Sequence, residues 1–307
     1  MKQLKPLVAA ITGLMLLGGS AAAYAIDTEV QFSTTGSGTG LDGSYDVVNI
    51  NEFDWQSSGD LGIKSAITVN GGATTLAAYF GGGAAVAGDV VVFDINAQAR
   101  LNDMLDTFGG SAAPLSLDKN GLTGGDTGFE ITAVLSGNET ATVINTIGAT
   151  VLLFTGITGT TTWYYDATPD SVVETGAGFS DGVAILSADL VSAFGTFTAG
   201  IGGSSLIGLE VTSYNKAYLQ TDPDGNSPLT GATFDTLISV VSNGEASADD
   251  VGDTIGTSKV GAGDVGFKAD ANSEFSASPV TVPEPGTLFL LGAGLLGLSG
   301  FARRKAA

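Results

Sequence analysis

The sequence predicts an all-β protein, with a β-sandwich or jelly-roll-like body and a single C-terminal transmembrane helix. Glycine is abundant, at 46 of 307 residues, and it is disfavoured inside helices because its backbone loses the most freedom on ordering. Several segments alternate apolar and polar residues with a period of two, which is the pattern of half-buried strands. An uncharged run of 16 residues, 286–301, lies near the C-terminus and predicts the helix.

The strand patterns are spread along the whole body. The clearest covers residues 93–101, where apolar side chains take the odd positions and mainly polar ones the even positions. Further strands are predicted at residues 129–135, 151–154, 183–186, 209–214 and 265–270. Residues 102–108 are predicted to form a short helical turn, ended by Gly109 and Gly110. Short strands between Gly-rich turns favour a sandwich or jelly roll.

The N-terminus has the pattern of a signal peptide. A basic start is followed by an apolar run of 11 residues, 7–17, and by an A-x-A motif at Ala23 and Ala25. The run is shorter than the ~20 residues of a spanning helix. We therefore expect cleavage after Ala25, and the alternative is an uncleaved anchor.

The C-terminus has three parts in a fixed order. The sequence Val282-Pro283-Glu284-Pro285 is incompatible with a helix because each Pro fixes its own backbone and restricts the residue before it. The uncharged run follows, and then the basic residues Arg303, Arg304 and Lys305. A basic end should stay on the cytoplasmic side of a membrane. The predicted organisation is therefore a signal peptide (1–25), an exported β-rich body (26–272), a linker (273–281) and a three-part C-terminal tail (282–307).

Charge and composition exclude several classes of protein. Five of the 11 Lys and Arg residues and one of the 32 acids lie in the two ends, so the remainder carries six bases and 31 acids, a net charge of −25. Such a charge repels nucleic acid and anionic membrane surfaces. The absence of His and Cys excludes disulfides, Ser-His-Asp and Cys-His catalysis, and most zinc sites.

The three-part tail, 282–307, resembles the PEP-CTERM sorting signal. The resemblance implies a Gram-negative host and processing by an exosortase-type membrane protease. It also implies transient anchoring in the inner membrane, followed by delivery to the cell surface or an exopolysaccharide matrix. The alternative is a plain C-terminal anchor with a chance Pro-Glu-Pro.

The central part is similar to the flocculation-associated branch of PEP-CTERM proteins. The similarity lies in the segments WYYD at 163–166, TGAGF at 175–179, DG at 181–182 and VGFKAD at 265–270. It implies cell aggregation through extracellular polysaccharide, and it implies no active residues.

Few residues stand out as candidate binding sites. Trp163 and Tyr165 share one face of a predicted strand and are candidates for glycan contact, whereas Tyr164 takes the other face. The alternative, which we favour for at least one face of this strand, is that its aromatic side chains belong to the core. Asp222, Asp224 and Asn226 are candidate calcium ligands, but their spacing fails the EF-hand pattern and Pro-Asp-Gly is a common turn. We expect no firm metal site and no cofactor, with calcium left open.

The composition and tail favour a non-enzymatic surface or matrix protein that supports aggregation, flocculation or biofilm structure with exopolysaccharide. The alternative is a carbohydrate- or calcium-binding module. A third interpretation is a secreted polysaccharide hydrolase, which needs only two carboxylates. Its candidate pairs would be Asp166 with Asp170, or Glu174 with Asp181.

Overall fold

The computed structural model describes residues 30–39, 45–56, 59–106, 109–118 except 115, 128–172 except 148, 175–221 except 200, 229–241 except 231, 254–255, 258–259 and 264–276. These residues belong to one compact unit, 27–276. They are nearly all β-strand, as the alternating patterns indicate.

The described part of the chain contains 14 strands. A one-turn π-helix (Ala77–Gly81) comes between β4 and β5. The strands are β1 (Val30–Phe32), β2 (Val47–Trp55), β3 (Gly59–Val69), β4 (Gly72–Thr75), β5 (Val90–Asp106), β6 (Glu130–Asn145), β7 (Val151–Asp166), β8 (Val183–Thr198), β9 (Gly202–Tyr214), β10 (Leu219–Thr221), β11 (Thr233–Val241), β12 (Thr254–Ile255), β13 (Ser258–Lys259) and β14 (Val265–Ser276).

The large sheet closes on itself as an antiparallel barrel with eight strand positions. Seven neighbours run in the order β14, β11, β9, β8, β7, β6, β5. The eighth position is shared by β2 and β3, which both pair with β5 and with β14. Trp55 of β2 lies opposite Leu101 and Ile63 of β3 lies opposite Ile95, so β2 and β3 act as one long interrupted strand.

The predicted β-sandwich or jelly-roll-like architecture is therefore wrong. A sandwich keeps two separate sheets, whereas here the hydrogen bonds continue around the ring until β5 meets β2 and β3. Strands of 16 and 17 residues are long enough to tilt around a common interior, as closure of a barrel requires.

Two predicted boundaries also change. Residues 102–106 continue β5 as strand and do not form the predicted helical turn. In addition, β14 extends to Ser276, so residues 273–276 of the predicted linker lie in a barrel strand.

The predicted C-terminal transmembrane helix is not found in the described part of the chain. Its residues, 286–301, lie outside the described ranges. Within the described ranges, no helix combines the length and the apolar character needed to cross a bilayer.

One half of the barrel interior is filled with aromatic side chains. Trp163 of β7 is 2% exposed, and its ring lies 4.9–5.2 Å from the rings of Trp55, Phe53 and Phe234. These rings come from β2, β7 and β11, so they bridge the barrel. Large side chains of this kind supply much of the burial that stabilises a core.

Candidate functional site

The other half of the barrel interior contains a cavity of about 400 Å³. Its wall is mainly apolar, and residues from all eight strand positions line it. A few hydroxyl groups and one carboxyl group are among them. The apolar wall residues are Leu61, Ile63, Phe93, Ile95, Leu152, Phe154, Phe197, Ile207, Ile238, Val265 and Phe267. An eight-stranded barrel is wide enough to hold one small ligand when side chains do not fill it.

The cavity stays open partly because β9 presents small residues to it and larger apolar residues to the aromatic half. Gly203 and Ser205 of β9 face it. In the aromatic half, the same strand contributes Leu209 and Val211 to the core. The interior therefore changes from filled to open along the barrel axis.

Residues of the π-helix and of two tight connections line the cavity at its edge. Leu76, Ala77, Phe80 and Gly81 lie on one side, and Thr150 and Ala199 lie on the other. Thr150 immediately precedes β7, and Ala199 immediately follows β8. The cavity is therefore next to the β6–β7 and β8–β9 connections, at the end of the barrel away from the aromatic half.

Glu139 is the one titratable side chain among the described residues that line the cavity. It points inward from β6 and is 6% exposed. Its neighbours in register are Phe93 and Ile157. Across the interior, Ser205 Oγ donates a long hydrogen bond of 3.5 Å to Glu139 Oε1.

The surroundings of Glu139 favour its neutral form. Burial raises the pKa of this carboxyl to about 7, and the hydrogen bond from Ser205 opposes the rise. An ionised carboxylate is costly in an apolar site because it loses its water shell. Near neutral pH the cavity therefore presents a carboxyl group that exchanges readily between its two protonation states.

The sequence analysis missed Glu139, although the pattern contained a signal. The alternation that begins at Phe129 continues on odd positions to Ala141 and Val143, which are fully buried. Glu139 stands on that apolar face. A single acid in such a row marks either a polar site in the interior or a break in the strand.

Trp163 and Tyr165, the candidates for glycan contact, both face the interior. Tyr165 is 8% exposed, its ring stacks on Phe129 at 5.2 Å, and its hydroxyl donates to the carbonyl oxygen of Thr34 at 2.5 Å. Trp163 is enclosed by the aromatic cluster described above. Neither ring presents a face on which a sugar could stack in this structure.

The structure brings Asp166 and Asp170 together with a third acid, Glu130. Carboxylate oxygens of the three residues lie within 4.8 Å of one another. Burial raises the pKa of Asp170, with smaller contributions from Asp181 and Asp166. Three carboxylates at this separation could hold a cation. The hydrogen bonds and ion pairs of each residue indicate whether the cluster also has a structural role.

Glu130 is committed to a buried structural network. Its Oε2 atom lies 3.1 Å from Arg100 Nε and accepts from Ser171 Oγ at 2.5 Å. Its Oε1 atom accepts from the backbone N–H groups of Asp170 and Ser171, each at 3.0 Å. Glu130 and Arg100 are 0% and 2% exposed. The ion pair and these hydrogen bonds therefore hold the segment after β7 against the outer face of the barrel.

Gly178 completes the fastening of that segment. Its φ is +76°, and a Cβ atom at this position would lie 2.4 Å from Asp170 Oδ1. Only glycine fits such a backbone and such a close approach. Asp166 in turn accepts from the N–H of Thr168 at 2.7 Å. The hydrogen bonds accepted by Glu130 and Asp166 thus order this loop.

A second group of acids lies on the outer wall. Asp235 of β11, Glu274 of β14 and Glu52 of β2 are directly opposite one another on adjacent strands. Burial raises the pKa of Glu52, and Glu274 and Asp54 raise it further. Like charges placed directly across strands repel, so this acidic row attracts cations and repels polyanions.

The other predicted site residues lie outside the described ranges. These are the cleavage-site residues Ala23 and Ala25, the calcium candidates Asp222, Asp224 and Asn226, the hydrolase candidate Glu174, the sorting residues Val282, Pro283, Glu284 and Pro285, and the basic residues Arg303, Arg304 and Lys305.

Comparison with known families gives one match. Residues 281–305 match the PEP-CTERM protein-sorting motif, which confirms this part of the sequence-based prediction. The motif indicates a protein that is exported, held transiently at a membrane, processed by an exosortase-type membrane enzyme and sorted to the surface. No curated protein matches the chain, and no solved structure does.

Proposed function

We propose that the chain is a non-enzymatic surface or extracellular-matrix protein of a Gram-negative bacterium. In this role it supports cell aggregation, flocculation or biofilm structure together with exopolysaccharide. The observation that carries the proposal is the sorting motif at residues 281–305, which follows a closed and strongly acidic barrel. Such a barrel is a rigid body, because its strands are hydrogen-bonded on both sides around the ring.

The hydrogen bonds of the acidic cluster support a role without catalysis for that cluster. A glycosidase needs two carboxyl groups that flank the scissile bond, with at least one free to move a proton. In the cluster of Glu130, Asp166 and Asp170, the buried member is held by an arginine and by four hydrogen bonds in total. We propose that this cluster is structural and that the protein needs no cofactor.

The acidic outer wall suggests how the body would meet the matrix. The row formed by Asp235, Glu274 and Glu52 would repel an acidic polysaccharide directly. Contact with such a polymer would therefore depend on divalent cations between the two polyanions. Calcium, left open by the sequence, is the first cation to test.

The proposal is tested in the producing cells. The gene is deleted and complemented with the wild-type chain, with a chain whose Pro283-Glu284-Pro285 is replaced by three alanines, or with an empty vector. We expect aggregation, measured as the sedimenting cell fraction, to return only with the wild-type chain. Protease treatment of intact cells should digest the body of the wild-type protein. Equal aggregation in all three strains would refute the matrix role.

Two further arms separate the alternatives. A calcium chelator should reduce aggregation if cations bridge the acidic wall to the polymer, and should leave it unchanged if contact is direct. The variants Asp166→Asn and Asp170→Asn should aggregate like the wild type. Polysaccharide turnover by the wild-type chain that either variant abolishes would overturn the non-enzymatic assignment.

A further inference from the structure

The barrel cavity has the properties of a binding site that the sorting motif does not explain. Its volume of about 400 Å³ falls within the ~300–1,000 Å³ range of small-molecule pockets. Aromatic pairs stiffen its wall, with Phe93 and Phe154 at 6.3 Å and Phe197 and Phe267 at 5.5 Å between ring centroids. A few polar groups within an apolar wall are typical of sites that orient a ligand.

The polar groups converge on one place. Glu139 from β6 and Ser205 from β9 meet across the interior, and both are at least nine-tenths buried. Their hydrogen bond is 3.5 Å long, and it is the only hydrogen bond of the Glu139 side chain among the described residues. A carboxyl group with two oxygens and one long bond retains hydrogen-bonding capacity that is directed into the cavity.

We propose that the cavity binds one small neutral amphiphile, whose apolar body packs against the barrel wall and whose hydroxyl-type head meets Glu139 and Ser205. The apolar body follows from the wall, since Phe93, Leu152, Phe154 and Phe197 offer it no polar partner. The hydroxyl-type head group is inferred from Glu139 and Ser205, because a hydroxyl can both donate to and accept from a carboxyl group.

Glu139 determines which charge the head group of the ligand can carry. No other Asp, Glu, Lys, Arg or Tyr lines the cavity in the described part of the chain, so no cation there can offset a negative ligand. A carboxylate head would face an ionised Glu139 across an apolar space, which is strongly unfavourable. A hydroxyl head pairs with Glu139 in either protonation state, and this is why the proposal specifies a neutral ligand.

Binding is measured on the full chain with two probes. N-phenyl-1-naphthylamine, a neutral dye that fluoresces in apolar sites, reports occupancy, and 1-decanol is titrated calorimetrically and as a competitor of the dye. We expect saturable binding with one site per chain, and displacement of the dye by 1-decanol. Absence of saturable binding of both probes would overturn the proposal.

Matched variants locate the site. Leu152→Trp fills the cavity from β7 and should weaken binding of both probes at least ~10-fold. If it fails to fold, Val265→Trp fills the cavity from β14 and serves the same purpose. Phe194→Ser is the control, because Phe194 is 71% exposed on the outer wall and its loss removes an external apolar surface only. Equal binding by a folded cavity-filling variant, or loss of binding in Phe194→Ser, would refute the assignment.

The head group is tested by comparing 1-decanol with decanoate. We expect 1-decanol to bind with little change between pH 5.5 and 8.5, whereas decanoate should weaken about 30-fold as Glu139 ionises around pH 7. In Glu139→Gln the pH dependence for decanoate should disappear. Equally tight binding of decanoate and 1-decanol at pH 8.5 would overturn the neutral head.

Discussion

Replacing Glu139 with Gln should stabilise the folded protein at alkaline pH and leave its stability nearly unchanged at acidic pH. The Glu139 carboxyl has a pKa of about 7 in the folded state, against an ordinary value of 4.5. Because one pKa unit corresponds to about 1.4 kcal/mol, this rise corresponds to about 3 kcal/mol. Glutamine keeps the shape and the hydrogen-bonding capacity of a protonated glutamate, and it cannot ionise.

The sign of the effect follows from the direction of the rise. Below pH 4.5 the carboxyl is protonated in both the folded and the unfolded chain, so its burial carries no ionisation cost. Between pH 4.5 and about 7 the unfolded chain ionises first, and the wild type loses stability as the pH rises. Above pH 7 the folded chain carries the full cost of the buried charge, and Glu139→Gln is free of it.

Urea denaturation, followed by the fluorescence of the buried Trp55 and Trp163, measures the free energy of unfolding at pH 5 and at pH 8.5. The difference between Glu139→Gln and the wild type should be no more than about 1 kcal/mol at pH 5 and should rise to about 3 kcal/mol at pH 8.5. Other acids titrate in both chains, so their contributions cancel in this difference. Glu210→Gln, at an exposed position of β9, is the matched control and should show no such change. A difference of equal size at both pH values would refute the reasoning.

Three further substitutions test the barrel. Glu130→Gln leaves the guanidinium of Arg100 buried without its counter-charge, so it should lower the free energy of unfolding by about 3–5 kcal/mol in urea titrations; an effect below 1 kcal/mol would show that the ion pair does not fasten the loop. Gly159→Ala should cost about 2 kcal/mol or more, because φ is +143° and the new Cβ would lie 2.2 Å from a carbonyl oxygen of β6. Gly156→Ala on the same strand meets no atom within 4 Å and should differ from the wild type by much less; equal costs would contradict the steric argument. Trp163→Ala should cost about 3–5 kcal/mol and reduce the near-ultraviolet circular dichroism; a neutral effect would place this ring outside the core.

The features that the sequence determined are those encoded by local pattern. Period-two alternation specifies a strand and its buried face wherever one side of a sheet is buried. Such a pattern correctly predicted strands that lie within β5, β6, β9 and β14. The sorting motif is linear, so composition and order suffice to identify it. The excess of acids and the absence of His and Cys are likewise properties of the chain itself.

Local pattern could not determine which strands close the sheet. A sandwich and a barrel present the same inward–outward alternation, and only the pairing of β2 and β3 with both β5 and β14 distinguishes them. The strand at residues 102–106 shows the same effect on a smaller scale. Its pairing with β2 outweighs a local sequence that is compatible with a turn.

The interior sites depended on the tertiary structure for the same reason. Trp163 and Tyr165 were ambiguous between surface and core until the barrel closed around them. Glu139 and Ser205 are 66 residues apart in the chain and meet only because β6 and β9 curve around one interior. The sequence by itself determined several of the long strands, the charge and the sorting motif of this protein. Closure of the barrel decided which side chains share a cavity, because that proximity arises from long-range pairing and not from neighbours in the chain.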